Sequence, residues 1–254
     1  MRLRSILEQA THRIVVRRRL PPPFASARIY TSTEGGLRYL ARRMTQVDPT
    51  LLRLAAEVVR PGATVWDIGA NIGLFSFAAA VAAGPDGHVL AVEPDTDLAR
   101  LLRRSAAVNR GHGIHAPVEV LSVAVCDELS VARFHVARRN RATSHLDGFG
   151  TGMAGGVRAT ELVPTVTLDW LAARFPAPDV IKIDVEEAEM TVLAGGSRVL
   201  DRSPAIICEV AAANATPVWE LLSARGYAVY DGDRPRGERV PAAAAPPNTL
   251  AISS

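Results

Sequence analysis

Short apolar runs, and the turns that interrupt them, set the architecture of this chain. Thr64–Ile68 is apolar enough for a buried strand, and Leu74–Ala83 reads as the helix after it. Pro85-Asp86-Gly87 turns the chain into a second strand, His88–Val92. Asp97–Val108 follows as a helix, with Asn109 and Gly111 as stop signals. Val118–Val125 predicts a third strand, Val180–Val185 a fourth, Ala188–Leu200 a helix and Ala205–Val210 a fifth strand. Continuous apolar strands separated by helices predict a parallel sheet covered on both faces. Upstream, Thr50–Val59 places Leu51, Leu54, Ala55 and Val58 at helical spacing, and Pro61-Gly62 ends the helix. Two stretches break the rhythm. Between Asp127 and Pro178 the chain is rich in arginine, glycine and threonine; Val131–Val136 and Leu162–Leu168 alternate as strands do, and Gly148–Gly156 reads as a loop. Near the end, Tyr227–Tyr230 and Asn248–Ser253 fit a strand pair closing the sheet in antiparallel fashion. The expected organisation is a basic leader with a helical extension over 1–60 and an α/β domain over 61–254. Its insertion, 127–178, has a length common in ligand-binding loops.

Composition changes this picture little. Of 254 residues, 48% are hydrophobic and 22% charged, enough for a sizeable core. The net charge is +3, and Lys182 is the only lysine among 29 basic residues. The arginines are scattered along the sequence, so nucleic acid is not a favoured partner. Cys126 and Cys208 are too few for a four-ligand metal cluster. Both lie in apolar runs, where a reduced buried thiol is expected, as in a cytoplasmic protein. No apolar stretch approaches the roughly 20 residues that span a bilayer. The start, MRLRSILEQATHRIVVRRRLPPP, has no sustained apolar segment or cleavage site and is not read as a signal peptide. A solvated leader is expected, with an amphipathic helix touching a membrane or partner as the alternative.

The segment VWDIGANIG is a strand entering a glycine-rich turn before a helix. Gly69 and Gly73 allow the bend and a close ligand approach, and the helix start offers amides to an anion. The pattern is D-x-G-x-x-x-G rather than the G-x-G-x-x-G that seats a pyrophosphate. Asp67 would repel a diphosphate but suits a cationic ligand such as S-adenosylmethionine, whose carboxylate can take the turn amides. Glu93 ends the second strand about 20 residues beyond the turn, the spacing at which an acidic side chain reaches ribose hydroxyls. Pro94 follows it, and Cys126-Asp127 is placed for the adenine amine, although Asp127 can equally cap a turn. The fourth strand runs into IKIDVEEAE, with Asp184, Glu186, Glu187 and Glu189 in close succession. Such acids belong either to the ligand-binding edge of the sheet or to the start of the next helix. His145 is a candidate base, with a surface histidine as the plainer reading.

Together VWDIGANIGLFS, VLAVEPD, AVNR, VTLDW, IKIDVEEAEMTVLAGG and IICEV resemble the FkbM family of methyltransferases, over roughly Pro61 to Val210, with an echo in PNTLAIS. The resemblance implies a class I methyltransferase, Rossmann-like α/β fold. Its sheet is mostly parallel and seven-stranded, with helices on both faces and an antiparallel C-terminal strand. It implies S-adenosylmethionine as donor and O-methylation of a hydroxyl on a small molecule, namely a secondary metabolite, sugar or glycan. Carried across, Asp67, Gly69, Ala70, Asn71, Gly73, Glu93 and Pro94 belong to the donor site, and Asp184, Glu186 and Glu189 lie near the transfer site. One departure stands out: the family pattern usually reads D-V-E-G-x-E, and here Glu187 replaces the glycine. Direct in-line transfer is expected, with Asp184, Glu186 or His145 assisting as base. A magnesium-assisted variant using Asp184 and Glu209 is not favoured. Three alternatives remain beside this reading: an RNA methyltransferase, a nicotinamide oxidoreductase, and a non-catalytic donor-binding protein.

Overall fold

The computed structural model describes residues 15–32, 38–110, 113, 115–137, 144–149 and 156–253. A hairpin of β1 (Val16–Arg19) and β2 (Arg28–Thr31) and two helices, α1 (Arg38–Ala41) and α2 (Pro49–Val58), come first. Then β3 (Thr64–Ile68), α3 (Leu74–Ala83), β4 (His88–Val92), α4 (Thr96–Arg110) and β5 (Val118–Leu121) alternate. The insertion contributes β6 (Ala124–Val125), β7 (Ser130–Ala137), β8 (His145–Leu146) and β9 (Val157–Val166). After it come α5 (Leu168–Ala172), β10 (Val180–Ile183), α6 (Glu189–Ala194), α7 (Ser197–Leu200) and β11 (Ala205–Glu209). The chain ends with α8 (Ala215–Ser223), β12 (Tyr227–Asp231) and β13 (Asn248–Ser253).

The central sheet has seven strands in the order β12-β13-β11-β10-β3-β4-β5, and only β13 runs against its neighbours. This is the mostly parallel α/β sheet expected from the apolar runs. Successive side chains of β3 enter opposite layers. Val65 joins Phe75, Val89 and Leu102 on one face, while Trp66 and Ile68 join Leu90, Ile181 and Leu193 on the other. The chain winds from β3 toward β5 on one side, and β10 and β11 build the other. The order therefore reverses between β3 and β10, where an open α/β sheet leaves a crevice at its carboxyl edge.

Several expectations are corrected. Val118–Val125 is not one strand: β5 pairs with β4 at the sheet edge, and past Ser122 the chain leaves to pair β6 with β9 in a separate four-stranded sheet. The segment 188–200 is two helices, broken at Gly195-Gly196. A Cβ on Gly195 would lie 2.3 Å from the Cys126 carbonyl oxygen, so the helix turns aside where β6 ends. Leu168 belongs to α5, whose start is fixed by Trp170 N donating to Thr167 Oγ1 at 2.9 Å. In α2 the buried residues are Leu52, Leu54 and Ala55, with Leu51 and Val58 half-buried. The leader is not solvated throughout. Within it β1 pairs antiparallel with β2 and Leu20 is buried; beyond it Ile29 and Thr31 are buried too, and the outer edge of β2 is taken up by α4. There Arg28 N donates to Asn109 Oδ1, and Tyr30 N donates to Ser105 Oγ. Residues 1–14 and most of the Gly148–Gly156 loop lie outside the described residues. Among the described residues no helix is long and apolar enough to cross a membrane.

Candidate functional site

The crevice at the switch point is a cleft of about 700 Å³, partly open to solvent. Its floor is the turn after β3. Gly69 has φ +75, and a Cβ there would lie 1.9 Å from the backbone oxygen of Asp184, so the turn crosses directly over the end of β10. No side chain fits between them. Asn71, in the same turn, also adopts a left-handed conformation. Gly73 serves packing instead: a Cβ would meet Leu102 at 2.6 Å and Phe77 at 2.7 Å where α3 begins. Ala70 is buried beneath the turn.

Glu93 ends β4 and faces the cleft, 6% exposed. Its Oε2 accepts from Asn71 N at 2.7 Å and its Oε1 from Asp95 N at 2.9 Å. Burial pushes its carboxyl up to about 8, against those amide bonds, and the neighbouring Asp95 charge adds to the rise. Each carboxylate oxygen keeps lone-pair capacity for a further donor. Pro94 and Leu98 continue this wall, and Val123, Ala124 and Val125 supply an apolar one. Cys126 is buried, with its amide given to Val166, and Asp127 is exposed; neither lines the cleft.

Asp67 lies behind the turn, fully buried, rather than in the cleft. One of its oxygens accepts from Ser76 and the other pairs with Lys182 Nζ at 3.1 Å. Lys182 also reaches Asp184 Oδ2 at 3.2 Å and donates to the Gly69 carbonyl at 2.7 Å. Burial works against its charge, but Asp184 and Asp67 outweigh that and hold the ammonium protonated well above the usual lysine range. The lone lysine thus ties the glycine turn to the acidic strand end. Its signal in the sequence was a charge inside an otherwise apolar strand.

Asp184, Glu186 and His145 are brought together on the cleft wall. Burial pushes Glu186 up to about 7, helped by the charges of Asp184, Glu189 and Glu187. His145, buried on β8, enters from the insertion. Glu189 does not join them: it is 2% exposed and accepts from Asn214 Nδ2 at 2.5 Å. Burial raises its carboxyl, offset in part by that bond. Glu209 shares a hydrogen bond with Asp184 and is pushed up to about 7, first by the Asp184 charge and then by burial. The two line a second, smaller hollow with Lys182.

The match with known families follows this frame. The methyltransferase FkbM domain matches residues 67–229, from the end of β3 into β12. The chain belongs to this family. No curated protein matches it. Among solved structures it is similar to the methyltransferase FkbM from Methylobacillus flagellatus KT, at 14% identity and TM-score 0.47 over 87% of this chain. The chain spans 58% of that protein's length. It is also similar to a SAM-dependent O-methyltransferase from Thermotoga maritima, at 13% identity and TM-score 0.46, covering 88% of this chain and 71% of that one. A magnesium protoporphyrin IX methyltransferase from Synechocystis PCC 6803, solved with bound SAM, aligns at 14% identity and TM-score 0.45 over 82% of this chain and 77% of that one.

In this FkbM-family methyltransferase the departure at Glu187 has a backbone meaning. Glu187 sits at φ +61, in the left-handed region that favours glycine. The glycine of the usual pattern therefore answers a tight turn between β10 and α6. Glu187 adopts that turn at a conformational cost and adds a charge beside Glu186.

Proposed function

We propose that this methyltransferase binds S-adenosylmethionine in the switch-point cleft and transfers its methyl group to a hydroxyl of a small molecule, in the class of secondary metabolites, sugars and glycans. The observation that carries the reading is Glu93. It is a buried carboxyl group at the carboxyl end of β4, pinned by two backbone amides and open to the cleft, suited to hydrogen-bond two vicinal ribose hydroxyls. Ala124 and Val125 offer a flat purine an apolar wall, in place of the polar contact expected from Cys126-Asp127. Asp67 is taken up by Lys182 behind the turn, and the acidic side chains that line the cleft are Glu93, Asp184 and Glu186. The bound donor supplies a methyl group already activated on a sulfonium.

The chain's own work is alignment and proton removal. Glu93, Asp184 and Glu186 line the same cleft, so an acceptor hydroxyl lodged in it has acidic side chains within its surroundings. Glu186 exchanges its proton near neutrality, which suits a general base, a role worth about 100- to 10,000-fold. His145, reaching in from β8, is the other group able to take that proton.

The test is calorimetric titration with S-adenosylmethionine and its demethylated product. A neutral hydrogen bond contributes about 0.5–1.5 kcal/mol, so losing the two that Glu93 makes, in Glu93→Ala, is expected to weaken binding about 5- to 150-fold. Wild-type affinity in that variant sinks the ribose assignment. Labelled methyl transfer into an extract, followed by mass spectrometry of the product, then separates O-methylation from transfer to nitrogen or carbon.

A further inference from the structure

Scattered along the sequence, the arginines of the amino-terminal half converge in space. On the β1–β2 hairpin Arg17 pairs with Tyr30 and Arg19 with Arg28, so these four share one face. The opposite face carries the buried Ile29 and Thr31. Helix α4 lies along the outer edge of β2, and its exposed positions are Thr96, Arg100, Arg103, Arg104, Ala107 and Arg110. Arg104 joins the two elements, its guanidinium 4.0 Å from the centre of the Tyr30 ring. Only Arg100 has an acidic partner, Asp97, which is also the sole acid on α4; β1 and β2 carry none. The other arginines of this face have no carboxylate partner among the described residues. Seven arginines on one face of a chain whose net charge is only +3 mean that the rest of the molecule carries more acids than bases.

We propose that this face, formed by the hairpin and α4, adsorbs the protein onto an anionic phospholipid surface. Arginine forks pair with phosphate oxygens two at a time, and an array of unpaired ones fits a field of headgroups. A stable protein partner would need aromatic or aliphatic anchors. Val16, 36% exposed, is the sole large apolar side chain of these elements in that state among the described residues. Single-stranded nucleic acid needs an aromatic platform, and Tyr30 is already covered by Arg104. The major groove, about 12 Å wide, admits one helix but not a helix with a hairpin beside it. The dearth of apolar side chains also means that the contact is electrostatic and rests on the bilayer rather than entering it. Since α4 begins beside the cleft, with Leu98 in its wall, adsorption brings the lip of the cleft close to the bilayer.

Vesicle co-sedimentation of the full chain tests this, using phosphatidylcholine alone against phosphatidylcholine mixed with phosphatidylglycerol. Binding is expected only to the mixed vesicles. It should fade with salt as screening shortens from about 10 Å at 0.1 M to 3 Å at 1 M. Changing Arg17, Arg19, Arg103 and Arg110 together to Gln should lower the partition by about fivefold for each arginine, several hundredfold in all. A control variant with Gln at Arg60, Arg202, Arg225 and Arg236 loses the same charge and should bind nearly as the parent does. Thermal melts by circular dichroism verify that both variants fold. Equal binding to neutral vesicles, or undiminished binding by the first variant, overturns the proposal. So does retention on a duplex DNA fragment at a salt concentration that strips the protein from vesicles, which assigns the face to nucleic acid.

Discussion

Replacing Lys182 by Met removes the charge that holds the site's buried centre together. Lys182 is 4% exposed and Asp67 0%, so the variant leaves the Asp67 carboxylate in the core with only the Ser76 hydroxyl against it. Asp184 loses its ion pair and the Gly69 carbonyl its donor at the same time. Removing one partner of a buried pair costs about 3–5 kcal/mol. For a chain of this length each kcal/mol moves the melting midpoint by about 2–4 °C, so a fall of roughly 6–20 °C is expected. Adding Asp67→Asn removes the stranded charge and should recover most of that loss, since replacing both members of a buried pair is often near neutral. Urea unfolding of the parent, both single variants and the combined variant closes the cycle and yields the coupling directly. The reasoning fails if Lys182→Met costs less than about 1 kcal/mol. It fails equally if the combined variant is no more stable than Lys182→Met alone.

Other consequences follow from the same geometry. Glu187→Gly relieves a left-handed residue and one like charge beside Glu186, and should raise stability by about 1 kcal/mol, read as a higher urea midpoint; a lower midpoint contradicts the turn argument. Stability should also depend on pH through Glu93, raised to about 8, and Glu186 and Glu209, each raised to about 7. Folded, these groups keep protons that the unfolded chain gives up near its ordinary carboxylate value of 4.5. Their contribution is complete below 4.5 and is lost as pH rises through 7 to 8, so the unfolding free energy should fall over that window. Glu93→Gln should flatten the slope, and an unchanged slope in urea titrations across that range would count against the burial of Glu93.

The β3–turn–α3 unit and Glu93 were legible because strands buried on both faces read as unbroken apolar runs, and because glycine punctuates the crossing. The antiparallel β13 was legible for the same reason. What escaped depends on contacts between distant segments. Lys182 meets Asp67 only once β10 lies beside β3, a register no local pattern encodes. The hairpin was missed because VRRR carries no apolar alternation; its partner is the edge of α4 rather than a sheet. Glu189 looked like Glu186 in sequence, and only the reach of Asn214 from the start of α8 separates a structural acid from one lining the cleft. Cys126 and Asp127 stand off the cleft, since the chain leaves the central sheet before them and Ala124 and Val125 line it instead.

The most direct measurement is a crystal structure of the protein grown with S-adenosylhomocysteine. The account predicts the nucleoside in the switch-point cleft, both ribose hydroxyls donating to Glu93 and the base against Ala124 and Val125, with the Lys182–Asp67 pair intact behind the turn. Density in another place, or a ribose turned away from Glu93, contradicts it.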